Sequence, residues 1–331
     1  MINHNTPVRE QESRPPLDGG PRPPAPTIPS QLSISSINCQ GLNNPDKRSE
    51  LIHTLKNNKS NVFLLQETKL SAPLYNSLQF AWKNPLVYSS SGDSTKGVAT
   101  LTKNIQLNLI FADTEGRLII SSLVWNEKTV LLVNVYAPND ITQQNRYFSQ
   151  VTNLLHQHTI TDQVIILMGD FNCILDNELD RLSSSTYDRS PPTTLLSLIN
   201  SYDLVDVFRE LHPLDKTMSW TNGHSASRLD RCYISKQHLN LLKTCSFEHF
   251  IDSDHSGFTV SFIHYDKALK RNQIPISIYK TNTFKVLIRE NINTLNVSDL
   301  STDIQELAKK TMKITETQSK PLKVEIEKLK G

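Results

Sequence analysis

The sequence predicts an α/β fold in which two mostly antiparallel sheets pack face to face and carry helices on their outer sides. Three observations point there. Apolar runs of strand length, separated by turn residues, follow one another from Leu32 to Phe262. Several neighbours are joined by only a few residues, as at Asn126-Glu127-Lys128, which demands antiparallel pairing. Windows with apolar residues recurring at three and four are few. Together these give one domain, residues 31–265, near the upper size for a single core.

Taken in order, Leu32–Asn38 reads as a strand that runs out into Gln40-Gly41. Lys47–Asn57 has helical spacing, and Val62–Gln66 is a strand delivering Glu67 at its end. Pro85–Ser89, Gly97–Leu101, Leu107–Ala112, Leu118–Trp125 and Val130–Tyr136 read as further strands, and Thr142–His156 as a second helix. Val164–Met168 is continuously apolar, as in a strand buried on both faces, and ends in Gly169-Asp170-Phe171-Asn172. Strand alternation sends Asp170 and Asn172 to one side and Phe171 and Cys173 to the other, so a carboxylate and an amide are expected to point away from the core. Gly-Asp-x-Asn also makes an ordinary Asx turn, so this motif needs company. Leu229–Ile234 and Phe258–Ile263 complete the strands.

The ends differ from this middle. Residues 1–30 hold eight of the 17 prolines, with too little apolar surface to offset ordering entropy, and are expected to be a disordered tail. Residues 266–331 carry 13 Lys or Arg against eight Asp or Glu, which leaves residues 1–265 at −3 within a total of +2. Asp303–Lys330 has spaced apolar residues among Lys and Glu and reads as partly helical: a basic linker, or a connector to something further on. No apolar run is long enough to span a bilayer, and no segment resembles a signal peptide. The four cysteines lack Cys-x-x-Cys spacing, and Cys39 and Cys173 sit at apolar strands, so reduced thiols in an intracellular protein are expected.

The chemistry gathers at strand ends. Asn38, Glu67, Tyr136 and Asp170 each close a predicted strand, Asp230 opens one, and Asp252-Ser253-Asp254-His255 precedes another. Carboxylates and amides also cap helices and make turns, but so many at one edge suit phosphodiester hydrolysis, where charge on the phosphoryl oxygens and a poor leaving alkoxide both need stabilising. A hard divalent cation such as Mg²⁺ does much of this through one or two carboxylates, and Glu67 is the obvious ligand. Asp170 is placed to take a proton from the attacking water, with Asn172 holding that water or a phosphate oxygen. His255, kept charged by Asp230, can bond the scissile phosphate.

The ordered series Ile37-Asn38-Cys39-Gln40-Gly41-Leu42, Leu65-Gln66-Glu67-Thr68-Lys69, Asn134-Val135-Tyr136-Ala137-Pro138-Asn139, Gly169-Asp170-Phe171-Asn172, Ser219-Trp220-Thr221, Arg228-Leu229-Asp230-Arg231 and Ser253-Asp254-His255 resembles the endonuclease/exonuclease/phosphatase superfamily over about residues 32–264. The resemblance implies a four-layered α/β sandwich and Mg²⁺-dependent phosphoester cleavage, with Mn²⁺ as an alternative ion. It implies catalytic roles for Asn38, Glu67, Tyr136, Asp170, Asn172, Asp230, Asp254 and His255, and a metal held by Glu67, Asn38 and Asp254. Tyr136 and Asn139 would contact the phosphate region, and Asp254 would orient His255 or a second metal position.

Within the superfamily, Gln40 where repair nucleases usually carry Asp, the Gly97-Val98-Ala99 segment, Leu179-Asp180-Arg181 and Arg228-Leu229-Asp230-Arg231 look like the N-terminal endonuclease of non-LTR (LINE-type) retroelements. That implies nicking of duplex DNA for target-primed reverse transcription, a reverse transcriptase as partner, and access to the nucleus. Ser219 stands where Thr is common in that group. A region at net −3 cannot bind DNA through a broad positive field, so contacts are expected to be local, from Lys69, Lys96, Arg181 and Arg228, with salt-sensitive binding. Trp220 can stack on a base, worth about 1–3 kcal/mol, although a Trp beside a large core more often packs.

Other motifs carry less. Gly92-Asp93-Ser94-Thr95-Lys96-Gly97 lacks the Gly-Lys-Ser/Thr ending of a phosphate loop, and His156 and His158 are poorly spaced for zinc on a helix. Two rival readings remain beside the DNA endonuclease: the same fold acting on RNA or a phosphorylated small molecule, and an inactive nucleic-acid-binding module.

Overall fold

The computed structural model describes residues 31–160, 162–182, 191–263 and 282–291. The expected tail (1–30) and basic helix (303–330) lie outside the described residues. Two six-stranded sheets face each other. The first has the order β14 (Leu242–Glu248), β15 (Gly257–Ile263), β1 (Gln31–Asn38), β2 (Val62–Gln66), β4 (Gly97–Thr102), β3 (Leu86–Ser90). The second runs β10 (Leu204–Asp206), β13 (Asp230–Ser235), β8 (Val164–Asp170), β7 (Lys128–Tyr136), β6 (Leu118–Trp125), β5 (Asn108–Ala112). Only β1–β2 and β7–β8 pair parallel within these sheets. A small third sheet joins β9 (Arg181–Leu182), β12 (Ala226–Ser227) and β11 (Trp220–Thr221).

Period-two alternation assigns each side chain to a layer. Leu32 and Ile34, Val62 and Leu64, Val130 and Leu132, Ile166 and Met168, Cys232 and Ile234 meet in one apolar core between the sheets. The intervening Phe63 and Leu65 point outward, where α1 (Pro45–Asn57) and α2 (Ala72–Trp82) cover them with Leu51, Leu55, Tyr75 and Trp82. On the other side Ile165 and Leu167 pack under α3 (Ile141–His158) and α4 (Thr193–Ser201). Removing one of the central aliphatic side chains, Ile166→Ala for instance, would cost about 2–5 kcal/mol.

Helix ends follow local chemistry. Asn44 Oδ1 accepts from the Asp46 and Lys47 amides and Pro45 fills the first turn, so α1 begins two residues before the apolar spacing suggests. Asp140 caps α3 through the Gln143 amide at 2.9 Å. Apolar periodicity alone did not predict α2, α4, α5 (Val207–Leu211), β10 or β14. The β14 segment, Leu-Lys-Thr-Cys-Ser-Phe-Glu, is an edge strand with half its side chains in solvent. Helix α6 (Asn282–Asn291) lies within the region expected to be a connector and buries Phe284 and Leu287.

One expectation is corrected here. The strand holding the Gly-Asp motif continues to Asp170, and Asp170 shares the parity of Ile166 and Met168. Its carboxyl therefore enters the gap between the sheets instead of pointing away from the core, and it is 0% exposed. Asn172 does not continue the alternation: it has φ 48°, and its amide N–H closes an Asx turn onto Asp170 Oδ1 at 2.9 Å.

Candidate active site

The same parity converts the core from apolar to polar toward one rim. Next above the Leu64 and Leu132 level, Gln66 Nε2 donates to Asn134 Oδ1 across the gap at 2.8 Å, and Asn134 Nδ2 donates to the Ala99 carbonyl at 2.9 Å. Above these lie Asn38, Tyr136, Asp170 and Asp230, each at the rim end of an adjacent strand. The rim forms because β1 and β2 both end there, β7 and β8 both end there, and the antiparallel β13 and β15 both begin there.

Asn38 stands at the centre. Its Nδ2 donates to Asp170 Oδ2 at 2.9 Å and to Glu67 Oε1 at 3.3 Å, while its Oδ1 accepts the Gln40 amide at 3.0 Å. His255 Nδ1 donates to Asp230 Oδ2 at 2.8 Å, and its Nε2 lies 3.4 Å from Asn38 Nδ2 and 3.9 Å from Asp170 Oδ2. Nε2 can accept from Asn38 only when the ring is neutral; in the imidazolium it is a donor facing Asp170.

Electrostatics favour the imidazolium. Burial alone would lower the His255 pKa, but the Asp230 charge and hydrogen bond, followed by Asp170, hold it up at about 10. Asp170 is raised above the usual carboxylate range, first by burial and then by Asp230, against the opposing pull of His255 and the Asn38 and Asn172 donors. Glu67 is also pushed up by burial, yet Lys69, Asn38 and Tyr136 outweigh this and lower it. Lys69 Nζ stands 2.9 Å from Glu67 Oε2.

The cluster has further supports. Ser219 Oγ accepts the backbone amides of Leu229 and Asp230 at 2.9 and 3.0 Å, so its hydroxyl holds the Asp230 backbone. Trp220 Nε1 donates to Asp254 Oδ2 at 2.9 Å, and Trp220 forms a bridge with His255. The indole thus joins the edge of the cluster. Arg117 donates to the Tyr136 carbonyl and lies 4.8 Å from the centre of its ring. Gln40, Glu67, Lys69 and Asn172 all take positive φ, a concentration of costly backbone around one site.

Several expected site residues are held by particular contacts. Asn38 turns its amide nitrogen, not its oxygen, to the carboxylates, because the oxygen is held by Gln40. Asp254 is engaged by Trp220, and the carboxylate that orients His255 is Asp230. Asn172 Nδ2 is bound to the Ala137 carbonyl at 2.8 Å, and Asn139 is exposed at the edge. Arg181 lies on β9. Arg228, expected at the DNA-facing surface, is 1% exposed and pairs with Asp180 and Asp206.

For a cation, Asp170, Asp230 and His255 offer ligand atoms within 4.8 Å of one another. The His255–Asp230 hydrogen bond and the charge on the ring count against that trio, since an imidazolium has no free lone pair. The better fit is Glu67, ionised and already matched by the Lys69 ammonium, with Asp170 near it through Asn38. Hard oxygen donors of this kind suit Mg²⁺, which takes one or two carboxylates and completes its shell with water and phosphate.

The model of the Endonuclease/Exonuclease/phosphatase family matches residues 35–255. The Transposon TX1 uncharacterized 149 kDa protein of Xenopus laevis is 32% identical over 235 residues, covering 68% of this chain; the chain spans only 18% of that relative's length. AP endonuclease LMAP from Leishmania major superposes with TM-score 0.62 at 19% identity, covering 73% of this chain and 90% of that one. The endonuclease domain of TRAS1, a telomere-specific non-LTR retrotransposon, superposes with TM-score 0.53 at 16% identity over 70% and 98% of the two chains. At such identities the structural likeness is one of fold. Among the described residues no helix is long and apolar enough to cross a membrane. The matched span contains Asn38, Glu67, Asp170, Asp230 and His255, and the chain belongs to the endonuclease/exonuclease/phosphatase family of hydrolytic enzymes.

Proposed function

We propose that this chain is a Mg²⁺-dependent endonuclease that nicks duplex DNA, with Mn²⁺ able to replace Mg²⁺, and that the nick primes reverse transcription by a mobile element. The observation that carries the reading is the convergence of Glu67, Asn38, Asp170 and the Asp230–His255 pair on one rim, with His255 Nε2 3.9 Å from Asp170 Oδ2. The likeness to a transposon protein and to a retrotransposon endonuclease domain supports the mobile-element part. A reverse transcriptase elsewhere in the same element would be the partner.

Glu67 would hold the ion, which supplies positive charge to the phosphoryl oxygens and the leaving oxygen. Asp170 accepts the proton of the attacking water, helped by a pKa lifted toward neutrality. His255 Nε2–H donates to a phosphoryl oxygen, with Asp230 fixing the ring through Nδ1. Asn38 holds the Asp170 and Glu67 carboxylates in place. Asn172, its Nδ2 bound to the Ala137 carbonyl, would hold the attacking water through Oδ1, and Tyr136 and Asn139 would contact the phosphate region.

Incubation with supercoiled plasmid and Mg²⁺ tests the reading directly. Nicked circles that disappear with chelator and with Glu67→Gln are expected. Intact plasmid alongside hydrolysis of a phosphorylated small molecule or an RNA would replace DNA as substrate. Binding without any cleavage would leave an inactive binding module.

A further inference from the structure

Beneath the rim lies an ionic network that the proposed reaction does not use. Asp180 is 0% exposed and receives three arginines: Arg209 Nη2 at 2.6 Å and Arg228 Nε at 2.8 Å on Oδ1, and Arg231 Nη2 at 2.7 Å on Oδ2. Arg228 and Arg231 each reach a second carboxylate, Asp206 Oδ2, at 2.9 and 3.1 Å. The Asp180 carbonyl also accepts the Arg228 backbone amide at 2.9 Å. Three positive and two negative side chains are therefore tied together where desolvation makes any unpaired charge expensive.

The two most deeply buried arginines, 228 and 231, bracket Asp230 in the chain. Asp230 itself has one side-chain partner, His255 on Oδ2, and its Oδ1 is buried without a hydrogen bond. A carboxylate with a single bond is aimed by its backbone, not by a shell of donors. That backbone is held by Ser219 at residues 229 and 230, by the Asp180 carbonyl at the Arg228 amide, and by the Asp180 carboxylate through the side chains of Arg228 and Arg231 on either flank.

We propose that Asp180 is a positioning residue: by clamping Arg228 and Arg231 it fixes the start of β13 so that the Asp230 carboxylate meets His255. This rests on the nuclease reading for its consequence in catalysis, but the geometry it asserts can be observed without any cleavage. A positioning role would account for two acids and three bases in a space that apolar side chains could fill with equal or greater stability.

The test compares the full chain with Asp180→Asn, nearly isosteric, and Arg228→Lys, which keeps the charge but loses the fork spanning two carboxylates. The first readout is the far-downfield proton resonance of the His255 Nδ1–H bonded to Asp230, assigned by its loss in His255→Gln. The second is nicking kinetics on plasmid. Both variants are expected to fold, to broaden or lose that resonance, and to drop kcat by about 10- to 100-fold with little change in KM, the scale of an ångström-sized misplacement. Folded variants that keep the resonance and kcat would overturn the proposal. Failure of both to fold would also overturn it, assigning the network to the fold alone. If the resonance is lost in the variants while the parent cleaves no DNA, the positioning stands and the nuclease reading falls.

Discussion

Asn38 and Asp170, one in each sheet and 132 residues apart in sequence, are joined by a 2.9 Å hydrogen bond across the interlayer gap. The same amide nitrogen reaches Glu67 Oε1 at 3.3 Å, so one side chain couples the Asp170 and Glu67 carboxylates. Asn38→Ala should remove that donor from both. Hydrogen bonds to charged groups are worth about 1.5–3 kcal/mol, so nicking should fall about 10- to 150-fold. Plasmid-nicking rates at fixed Mg²⁺ check this, and a parental rate would deny Asn38 any part in catalysis.

Glu67→Gln keeps the shape and removes the charge. Lys69 then faces a neutral amide and the rim loses its ionised hard-oxygen donor. Nicking should drop by orders of magnitude, and the Mg²⁺ concentration needed for half-maximal rate should rise. The second effect separates loss of the ion from general damage. An unchanged Mg²⁺ requirement would place the ion elsewhere, with the Asp170, Asp230 and His255 trio as the next candidate.

The pH profile follows from two raised groups. As the proposed base Asp170 would act only when deprotonated, and its pKa is raised, so activity should climb at higher pH than an ordinary carboxylate would allow. As the proposed donor to the phosphate His255 would act only when protonated, and activity should decline as pH rises through about 10. The sign for stability is the same on the basic side: the His255–Asp230 pairing contributes fully below the ordinary histidine range and is lost as pH rises through the raised value. Asp230→Asn should move the basic limb down by removing the charge that holds the proton. A basic limb that stays in place in Asp230→Asn would show that some other group sets it.

Much of this arrangement was legible from spacing alone. The strands ending at Asn38, Gln66 and Tyr136 are found within two residues of their expected bounds, because apolar alternation records which face is buried. What alternation could not reveal was which way the rim residues pointed. Asp170 looks solvent-directed in a sequence, since both faces of Val164–Met168 are apolar and nothing local says which of them meets the opposite sheet. Arg228 looked like a DNA contact for the same reason: its partners Asp180 and Asp206 are 48 and 22 residues away. Trp220, weighed between stacking and packing, has its indole N–H committed to Asp254. A signal for the buried network was present in the sequence as Leu179-Asp180-Arg181 and Arg228–Arg231, but charge spacing carries no mark that distinguishes an ion pair in the core from one in water.

Gly169 shows how closely the rim depends on backbone contact. It pairs with Val135 of β7 in the parallel ladder and has φ +148°, a conformation that side chains other than hydrogen rarely adopt. A Cβ built there would run into the Val135 carbonyl, which is backbone of a central strand and cannot swing aside. Gly169→Ala must therefore part β7 from β8 one residue before Asp170 and opposite the strand that ends in Tyr136. Overpacking of this kind costs about 1–3 kcal/mol, and the unfavourable φ adds to it. In urea unfolding the midpoint should fall by roughly 1 M, given slopes of about 1–3 kcal/mol/M. The folded fraction should also nick more slowly, because Asp170 moves with its strand, whereas a glycine replaced in a solvent-exposed turn, such as Gly92→Ala with nothing within 4 Å, should leave both quantities near parental. If Gly169→Ala unfolds at the parental urea concentration, the close approach of the two strands is not what this position requires.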